Sequence, residues 1–270
     1  MAKKTANVKR ISKADIYGEF GIQYQNGKIL SPLFGWINPL LVDGNEKIGK
    51  SVFHFSTLAG NENHTVKVCG HDIGVLATCN CNCPGCYAQR GNYNYSSVEN
   101  ALAIRTVLAR LYPDFVKRAI LAQIRADKVQ YIRIHASGDF FNAEYITMWH
   151  DVIRLSPSVT YWTYTKNPDA EDAFDDLDNI NIVRSLIPGV GLNYGHAAYI
   201  MDAYQQLKTA GESVYICRCG IDKNQHCNNC KGCSRNEYVL FLEHSTGYKP
   251  EKDPDFPAYV QLVESQEKPE

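Results

Sequence analysis

The stretch VQYIRIHASGDFFNAEYITMWHDVIRLSPSVTYWTYTKN, residues 129–167, gives the clearest indication of the fold. Its first part is rich in β-branched and aromatic residues and closes on Gly138, which is typical of a strand. Asn142 is suited to capping the helix predicted in NAEYITMWHDVIRLS. VTYWTYTKN then reads as a second strand. Strand, helix and strand in this order predict a parallel βαβ unit with a right-handed crossover.

The same alternation continues on both sides of this unit. We predict helices at residues 96–112, 114–127 and 196–211, a short acidic helix at 169–178, and strands at 64–70, 180–189 and 212–220. Such a series predicts an α/β fold, specifically an incomplete parallel (β/α) barrel.

The chain is predicted to have four regions. An apolar run broken by Pro32, Gly35 and Pro39 indicates irregular extended structure near the start. The end is rich in proline and charge. We therefore expect an irregular N-terminal extension packing on the core (1–65), a βα partial barrel (66–216), a cysteine-rich metal-binding segment (217–245) and a surface tail (246–270).

Composition excludes some classes of function. The chain has 270 residues and a formal net charge of −1, so its overall charge does not indicate nucleic acid as a partner. A local basic patch on one helix, formed by Lys117, Arg118 and Arg125, leaves that partner open. The start carries no apolar run typical of a signal peptide, and no segment has the length of a membrane span. We expect a cytoplasmic protein without a membrane partner.

Ten cysteines need an explanation in a reducing cytoplasm, where structural disulfides are rare. They fall into two groups, which indicates metal binding rather than scattered buried thiols. The first group is Cys69, Cys79, Cys81, Cys83 and Cys86; the second is Cys217, Cys219, Cys227, Cys230 and Cys233.

The first group contains the spacing C-x3-C-x2-C at Cys79, Cys83 and Cys86. Three thiolates so spaced can bind three irons of a [4Fe–4S] cluster and leave the fourth iron open to a ligand. The alternatives are a structural zinc site that also uses Cys81 and a redox loop without metal.

This spacing, after a strand of a βα series, resembles the radical S-adenosylmethionine (SAM) superfamily. The resemblance implies that the open iron holds SAM, that an electron donor reduces the cluster, and that SAM cleavage starts modification of a substrate that the sequence does not name. The turn Ser137-Gly138-Asp139 is similar to the superfamily's Gly-Gly-Glu turn, which implies that these three residues contact SAM. Gly85 stands where that superfamily has an aromatic residue, and Tyr87 lies on the other side of the last cysteine.

Unusual residues follow several predicted strands, and the carboxyl ends of parallel strands are where α/β folds build sites. Asp139 and Lys166 are therefore our candidate catalytic residues, and Ser137, Gly138, Asp139 and Tyr87 are the candidate cofactor contacts. His135 has two interpretations, a catalytic group or a hydrogen-bonded core histidine.

The second group gives C-x-C-x7-C-x2-C-x2-C. Cys227, Cys230 and Cys233 have the spacing of bacterial ferredoxins, with Cys219 or Cys217 as the fourth ligand. We predict a second metal centre on Cys219, Cys227, Cys230 and Cys233. It is either a second [4Fe–4S] cluster, as the radical SAM resemblance implies, or a zinc site with His226 as a possible ligand.

A second resemblance involves CPGCYA, SGDF with EYITMW, YTK and the late C-x2-C-x2-C. These motifs are similar to a family of bacteriophage and plasmid proteins known as numbered gene products. That resemblance implies a phage or mobile-element origin and a location in the host cytoplasm. Three functions stay open: a radical SAM-like enzyme, a non-enzymatic binding protein stabilised by zinc or iron–sulfur whose partner is nucleic acid or a host protein, and a nuclease or transferase that has kept the barrel and lost SAM.

Overall fold

The computed structural model of the chain describes residues 11–44, 48–60, 62–68, 71–79, 83, 86–222, 225, 227–230, 232–243 and 248–266. The helices are α1 Lys13–Glu19, α2 Ser96–Leu111, α3 Pro113–Asp127, α4 Ala143–Arg154, α5 Pro168–Glu171, α6 Ala197–Thr209, α7 Cys227–Cys230 and α8 Phe256–Ser265. Within these ranges, no helix is long and apolar enough to cross a membrane.

The strands before residue 100 are β1 Tyr24–Gln25, β2 Lys28–Ser31, β3 Gly35–Ile37, β4 Val42–Asp43, β5 Val52–Phe55, β6 Asn63–Val68 and β7 His71–Leu76. Those after it are β8 Tyr131–Ile134, β9 Thr160–Thr165, β10 Ile180–Arg184, β11 Leu186–Ile187, β12 Gly191–Leu192, β13 Tyr194–Gly195, β14 Val214–Ile216 and β15 Tyr238–Leu242.

A five-stranded sheet with the order β10-β9-β8-β5-β4 forms the centre of the fold. β5, β8, β9 and β10 are parallel, and β4 pairs antiparallel with β5 at one edge. The predicted unit β8-α4-β9 is confirmed, and Asn142 caps α4 by accepting a hydrogen bond of 2.8 Å from the Tyr145 amide. The α/β class is therefore confirmed, while the sheets of the described residues do not close into a barrel.

One face of the central sheet packs against helices. Ile132 and Ile134 of β8 are fully buried there, together with Trp149 of α4 and Ile120 of α3. Side chains alternate along a strand, so Tyr131 and Arg133 belong to the opposite face. The apolar side chains buried between this face and the helices form the main hydrophobic core of the central sheet.

The opposite face of the sheet packs against the second cysteine segment. Cys230 and Cys233 are buried in one apolar cluster with Trp162 and Val183 of the sheet. In a (β/α) barrel this is the face that the strands enclose, because the helices lie outside. The cysteine-rich segment is therefore part of the core and fills the inner side of the sheet.

A smaller parallel sheet, β13-β15-β14, lies beside helices α6 and α8. The predicted surface tail at 246–270 differs from the structure here. Tyr259 and Val263 of α8 are fully buried, because their spacing of four residues places both on the face that packs with α6. The end of the chain closes this second core.

The N-terminal prediction also differs from the structure. Residues 24–37 form an antiparallel sheet, β1-β2-β3, and β5 lies inside the central sheet, so the core begins before residue 66. The strand predicted at 64–70 pairs with β7 as an antiparallel hairpin instead of joining the central sheet. Strand periodicity indicates an extended segment but does not identify its partner. Helices α2, α3 and α6 agree with the predictions, whereas the acidic helix is limited to Pro168–Glu171.

Candidate functional site

The turn after β8 places a buried carboxylate at the carboxyl edge of the sheet. Oδ1 of Asp139 accepts hydrogen bonds from the Thr165 hydroxyl at 2.7 Å and from the Phe140 amide at 2.8 Å. Oδ2 accepts one from the Lys166 amide at 2.9 Å. Burial raises the pKa of Asp139, and these hydrogen bonds oppose that rise. Asp139 thus joins the end of β9 to the turn after β8.

Gly138 sits where the chain leaves no room for a side chain. Its φ is +84°, and a Cβ there would lie 2.0 Å from Oγ1 of Thr57 and 2.6 Å from Oγ1 of Thr78. Those two hydroxyls are 2.9 Å apart, and the Thr78 hydroxyl also accepts from the Asp139 amide at 3.0 Å. The Ser137 hydroxyl donates to the Thr57 carbonyl at 2.8 Å. The predicted cofactor contacts Ser137 and Gly138 therefore tie the turn to the segment that follows β5.

The first cysteine loop begins directly after Thr78. The Cys79 amide donates to the Gly60 carbonyl at 2.8 Å, and the Cys86 amide donates to the Cys83 carbonyl at 3.2 Å. Burial, and to a smaller extent the charges of Asp139, Cys86 and Cys83, raise the pKa of Cys79 to about 12, although the hydrogen bond with Gly60 opposes the rise. The three predicted ligands are thus partly buried and form no disulfide, and Cys83 and Cys86 lie within electrostatic reach of Cys79 together with Asp139. Cys69 and Cys81 lie outside the described residues.

Lys166 faces this loop from the end of β9. Burial raises the pKa of Cys86, and the Lys166 ammonium group opposes that rise, which places the two side chains within electrostatic reach. The predicted catalytic pair therefore lies within electrostatic reach of this loop, Asp139 of Cys79 and Lys166 of Cys86.

Tyr87 follows the last cysteine of the loop and lies over the end of β8. Its hydroxyl donates to the Ala136 carbonyl at 2.6 Å, and its ring is more than half exposed. The Tyr93 hydroxyl donates to the same carbonyl at 3.3 Å. Tyr87 is thus at the rim of the site, where the sequence predicted a cofactor contact.

His135 is a core residue in the structure. Its Nε2 lies 2.9 Å from the Tyr145 hydroxyl, and its ring packs edge-on against Phe140. Burial, together with the charge of Arg133, lowers the pKa of His135 to about 3. The hydrogen-bonded core interpretation therefore agrees with these contacts.

The second cysteine group lines one cavity on the inner face of the sheet. The lining consists of Tyr131, Trp162, Cys217, Cys219, Cys227, Cys230, Gly232, Cys233 and Ser234. Hydrogen bonding between Cys217 and Cys219, and then burial, raise the pKa of Cys217. Burial also raises the pKa of Cys233, and the thiols of Cys227 and Cys230 add to this rise. Cys217 therefore joins the four predicted ligands, while His226 lies outside the described residues.

The donor chemistry of both groups fits a soft metal. None of the described cysteines forms a disulfide, and thiolates are preferred ligands of zinc and of iron–sulfur clusters. Across the part of the chain that the structure describes, no three histidine, cysteine or acidic side chains already stand as a preformed metal site. The match between the two cysteine groups and a soft metal therefore rests on the kind of side chains that each group contains, and not on a preformed coordination geometry.

Sequence reasoning missed Arg133, Trp162, Thr57 and Thr78. Arg133 gave a signal, because a charged residue at the centre of an apolar strand needs a partner on the face that it occupies. Its Nη2 donates to the Tyr87 hydroxyl at 3.2 Å, and its guanidinium carbon lies 4.7 Å from the centre of the Tyr164 ring.

The basic patch predicted on α3 is paired with acidic side chains. Lys117 lies 3.2 Å from Asp151, and Arg118 lies 2.9 Å from Asp114. Arg125 pairs with Glu19. These ion pairs leave little free positive charge for phosphate contacts on this helix.

Comparisons with known proteins give a family and two phage relatives. Residues 39–247 match the sequence model of the family described as Gene product 88. A Gene 88 protein of Mycobacterium phage L5 is 33% identical over 94 residues, which cover 30% of this chain and 38% of that protein. A Gene 88 protein of Mycobacterium phage D29 is 29% identical over 145 residues, which cover 48% and 57%. The chain thus spans less than two thirds of the length of either relative. No solved structure matches.

Proposed function

Because the chain belongs to the Gene product 88 family, whose relatives here carry only a gene number as a name, we propose its function from its own residues. We infer a phage-encoded iron–sulfur enzyme, working in the host cytoplasm, that binds SAM at a [4Fe–4S] cluster and modifies a substrate after reductive SAM cleavage. An electron donor of the host or the phage is its partner.

One observation carries this proposal. The thiol of Cys79 is within electrostatic reach of Cys83, Cys86 and Asp139, and that of Cys86 is within reach of Lys166, beyond the carboxyl ends of the parallel strands β8 and β9. Three cysteines in C-x3-C-x2-C spacing suit a cluster with one open iron, and this edge is where α/β folds bind their ligands. The central sheet would serve as the incomplete barrel that the sequence predicts.

The residues of the site have separate roles in this proposal. The thiols of Cys79, Cys83 and Cys86 would hold the cluster, which supplies the single electron for SAM cleavage. Each carboxylate oxygen has two acceptor positions, and Oδ1 of Asp139 uses both. Among the described residues, Oδ2 accepts one, from the Lys166 amide, and its second position would accept the amino group of SAM. The Lys166 ammonium group would bind a carboxylate group of SAM or of the substrate.

The test is metal and sulfide analysis of protein purified without oxygen. We compare the wild type, a variant with Cys79, Cys83 and Cys86 all replaced by Ala, and Cys81→Ala. The triple variant is expected to lose about four irons and four sulfides per chain. Cys81→Ala is expected to retain them and, with a chemical reductant, to release 5′-deoxyadenosine from SAM as the wild type does. Zinc without sulfide in the wild type would contradict the proposal, as would loss of the cluster in Cys81→Ala.

A second candidate is a non-enzymatic binding protein that uses metal to hold its shape. The burial of Cys230 and Cys233 in the apolar layer of the sheet favours it, because metal bound there would stabilise the fold directly. Its partner would be a host protein, since the arginines and lysine of the α3 patch are paired. Metal at the second group alone, with no SAM cleavage by the wild type, is the result expected for this candidate.

A further inference from the structure

The cavity lined by Cys217, Cys219, Cys227, Cys230 and Cys233, hereafter the five-cysteine cavity, is surrounded by hydrogen-bond donors. No acidic side chain is among the described residues that line it. The Tyr215 hydroxyl lies 3.4 Å from Sγ of Cys230, and the Tyr164 hydroxyl is hydrogen-bonded to Cys233. Such a lining suits a negatively charged occupant.

Trp162 contributes a donor that has no acceptor. Its side chain lines the cavity, only 3% of the residue is exposed, and its indole N–H lacks a hydrogen-bond partner among the described residues. A buried donor without a partner is energetically unfavourable. A metal-bound thiolate or sulfide in the cavity would be an acceptor for this N–H.

Arg133 contributes a positive charge. Its guanidinium group is fixed by the Tyr87 hydroxyl on one side and by the Tyr164 ring on the other. Its Nε is buried without a hydrogen-bond partner in the described chain, and no carboxylate there forms an ion pair with it. Burial alone would lower the pKa of Arg133, but the phenols of Tyr87 and Tyr164 and the thiols of Cys227 and Cys233 raise it overall. Tyr164, whose ring Arg133 covers, packs in one cluster with Cys227 and Cys233, so Arg133 carries its charge on the sheet face that these cysteines contact.

The charge of the expected occupant matches these donors. A divalent zinc ion with four thiolates carries two negative charges, and so does a [4Fe–4S] cluster in its 2+ state with four thiolates. The argument below therefore holds for either metal.

We propose that Arg133 and Trp162 donate hydrogen bonds to the sulfur atoms of a metal centre in the five-cysteine cavity, and that Arg133 is its counter-ion. The proposal rests on the second metal centre and is independent of the first. Groups that hydrogen-bond to metal ligands orient them, and their loss typically lowers metal affinity 10- to 100-fold.

The test uses a background in which Cys79, Cys83 and Cys86 are Ala, so that only metal of the five-cysteine cavity is counted. Arg133→Gln, Arg133→Lys and Trp162→Phe are compared in it with two matched controls, Arg154→Gln and Trp36→Phe. Arg154 and Trp36 are exposed, and neither is among the described residues that line the cavity. We measure the rate of metal release to an excess of chelator and the wavelength of the sulfur-to-metal charge-transfer absorption, with Co²⁺ replacing zinc if zinc is found.

Arg133→Gln and Trp162→Phe are expected to release metal about 10- to 100-fold faster and to shift the absorption band. Arg133→Lys keeps the charge but not the planar donor group, so an intermediate rate is expected. If Arg133 and Trp162 had a purely structural role, the absorption band of their variants would stay at the wavelength of the control variants. That result would overturn the proposal. Absence of metal from this background would also overturn it, whereas the Proposed function depends only on the metal that the background has lost.

Discussion

The Thr165 hydroxyl donates a hydrogen bond of 2.7 Å to Oδ1 of Asp139, and both residues are buried. This contact joins the last residue of β9 to the turn after β8. It also fixes Lys166, the next residue, whose amide donates to the other oxygen of the same carboxylate. The position of the candidate catalytic pair thus depends on one side chain.

Asp139→Asn is expected to destabilise the fold by about 1–3 kcal/mol, because asparagine keeps one acceptor oxygen but its NH2 group cannot accept the hydrogen bonds made to the carboxylate oxygen that it replaces. Urea unfolding followed by circular dichroism measures the change. The control is Asp175→Asn, which alters an exposed aspartate. Equal stability of the two variants would show that the network around Asp139 contributes little.

Gly138→Ala is expected to be more disruptive than Gly189→Ala. Both glycines have positive φ, +84° and +73°, so both variants lose about 1–2 kcal/mol to backbone strain. Only at Gly138 would the new Cβ collide with the hydroxyls of Thr57 and Thr78, while nothing lies within 4 Å of it at Gly189. The melting temperatures of the two variants separate the collision from the strain. Similar values would mean that the threonines move aside at little cost.

His135→Asn is expected to reduce the loss of stability in acid. The folded-state pKa of His135, about 3, lies below its ordinary value of 6.5, so between these values the unfolded chain binds the proton more tightly. Stability is therefore present above about pH 6.5 and falls as the pH drops toward 3. For this residue alone the loss between pH 7 and pH 5 is about 2 kcal/mol.

Asparagine suits the test of His135 because it tolerates the positive φ of 62° at this position. Urea unfolding at pH 7 and pH 5 gives the difference for each protein. His54, whose burial lowers its pKa to about 4, contributes to the same fall and is left unchanged in both. Wild type and variant losing equal stability between the two pH values would contradict the prediction.

Metal removal is expected to open the second cysteine segment before the rest of the chain. Metal-binding free energy contributes to folding, and Cys230 and Cys233 are packed into the sheet. Chelator-treated protein should be cut by trypsin first after Arg218 or Arg235, while cleavage at Lys117 and Arg118 of α3 comes later. Mass spectrometry identifies the fragments. The same order of cleavage with and without chelator would show that the segment holds its place without metal.

Local patterns predicted much of the helical layer and little of the inner face. The α4 cap at Asn142 and the end of α6 before Gly211 follow from short-range chemistry that is visible in the residues themselves. The hairpin β6-β7 and the place of β5 depend on pairing between distant segments, which periodicity does not encode. The spacing of the cysteines predicted two groups, but not that one of them packs against Trp162 and Val183 on the sheet.

The filled inner face of the central sheet bears on the size of the substrate. An open barrel interior can enclose a small metabolite completely. Here the described residues of the second cysteine segment pack against this face of the sheet instead. For the enzyme proposed above, the described residues would leave the rim, beside the exposed side chain of Tyr87, as the approach to the Cys79 loop. A rim of this kind would suit one residue or nucleotide protruding from a polymer much larger than the protein, with the remainder of that polymer staying in solvent.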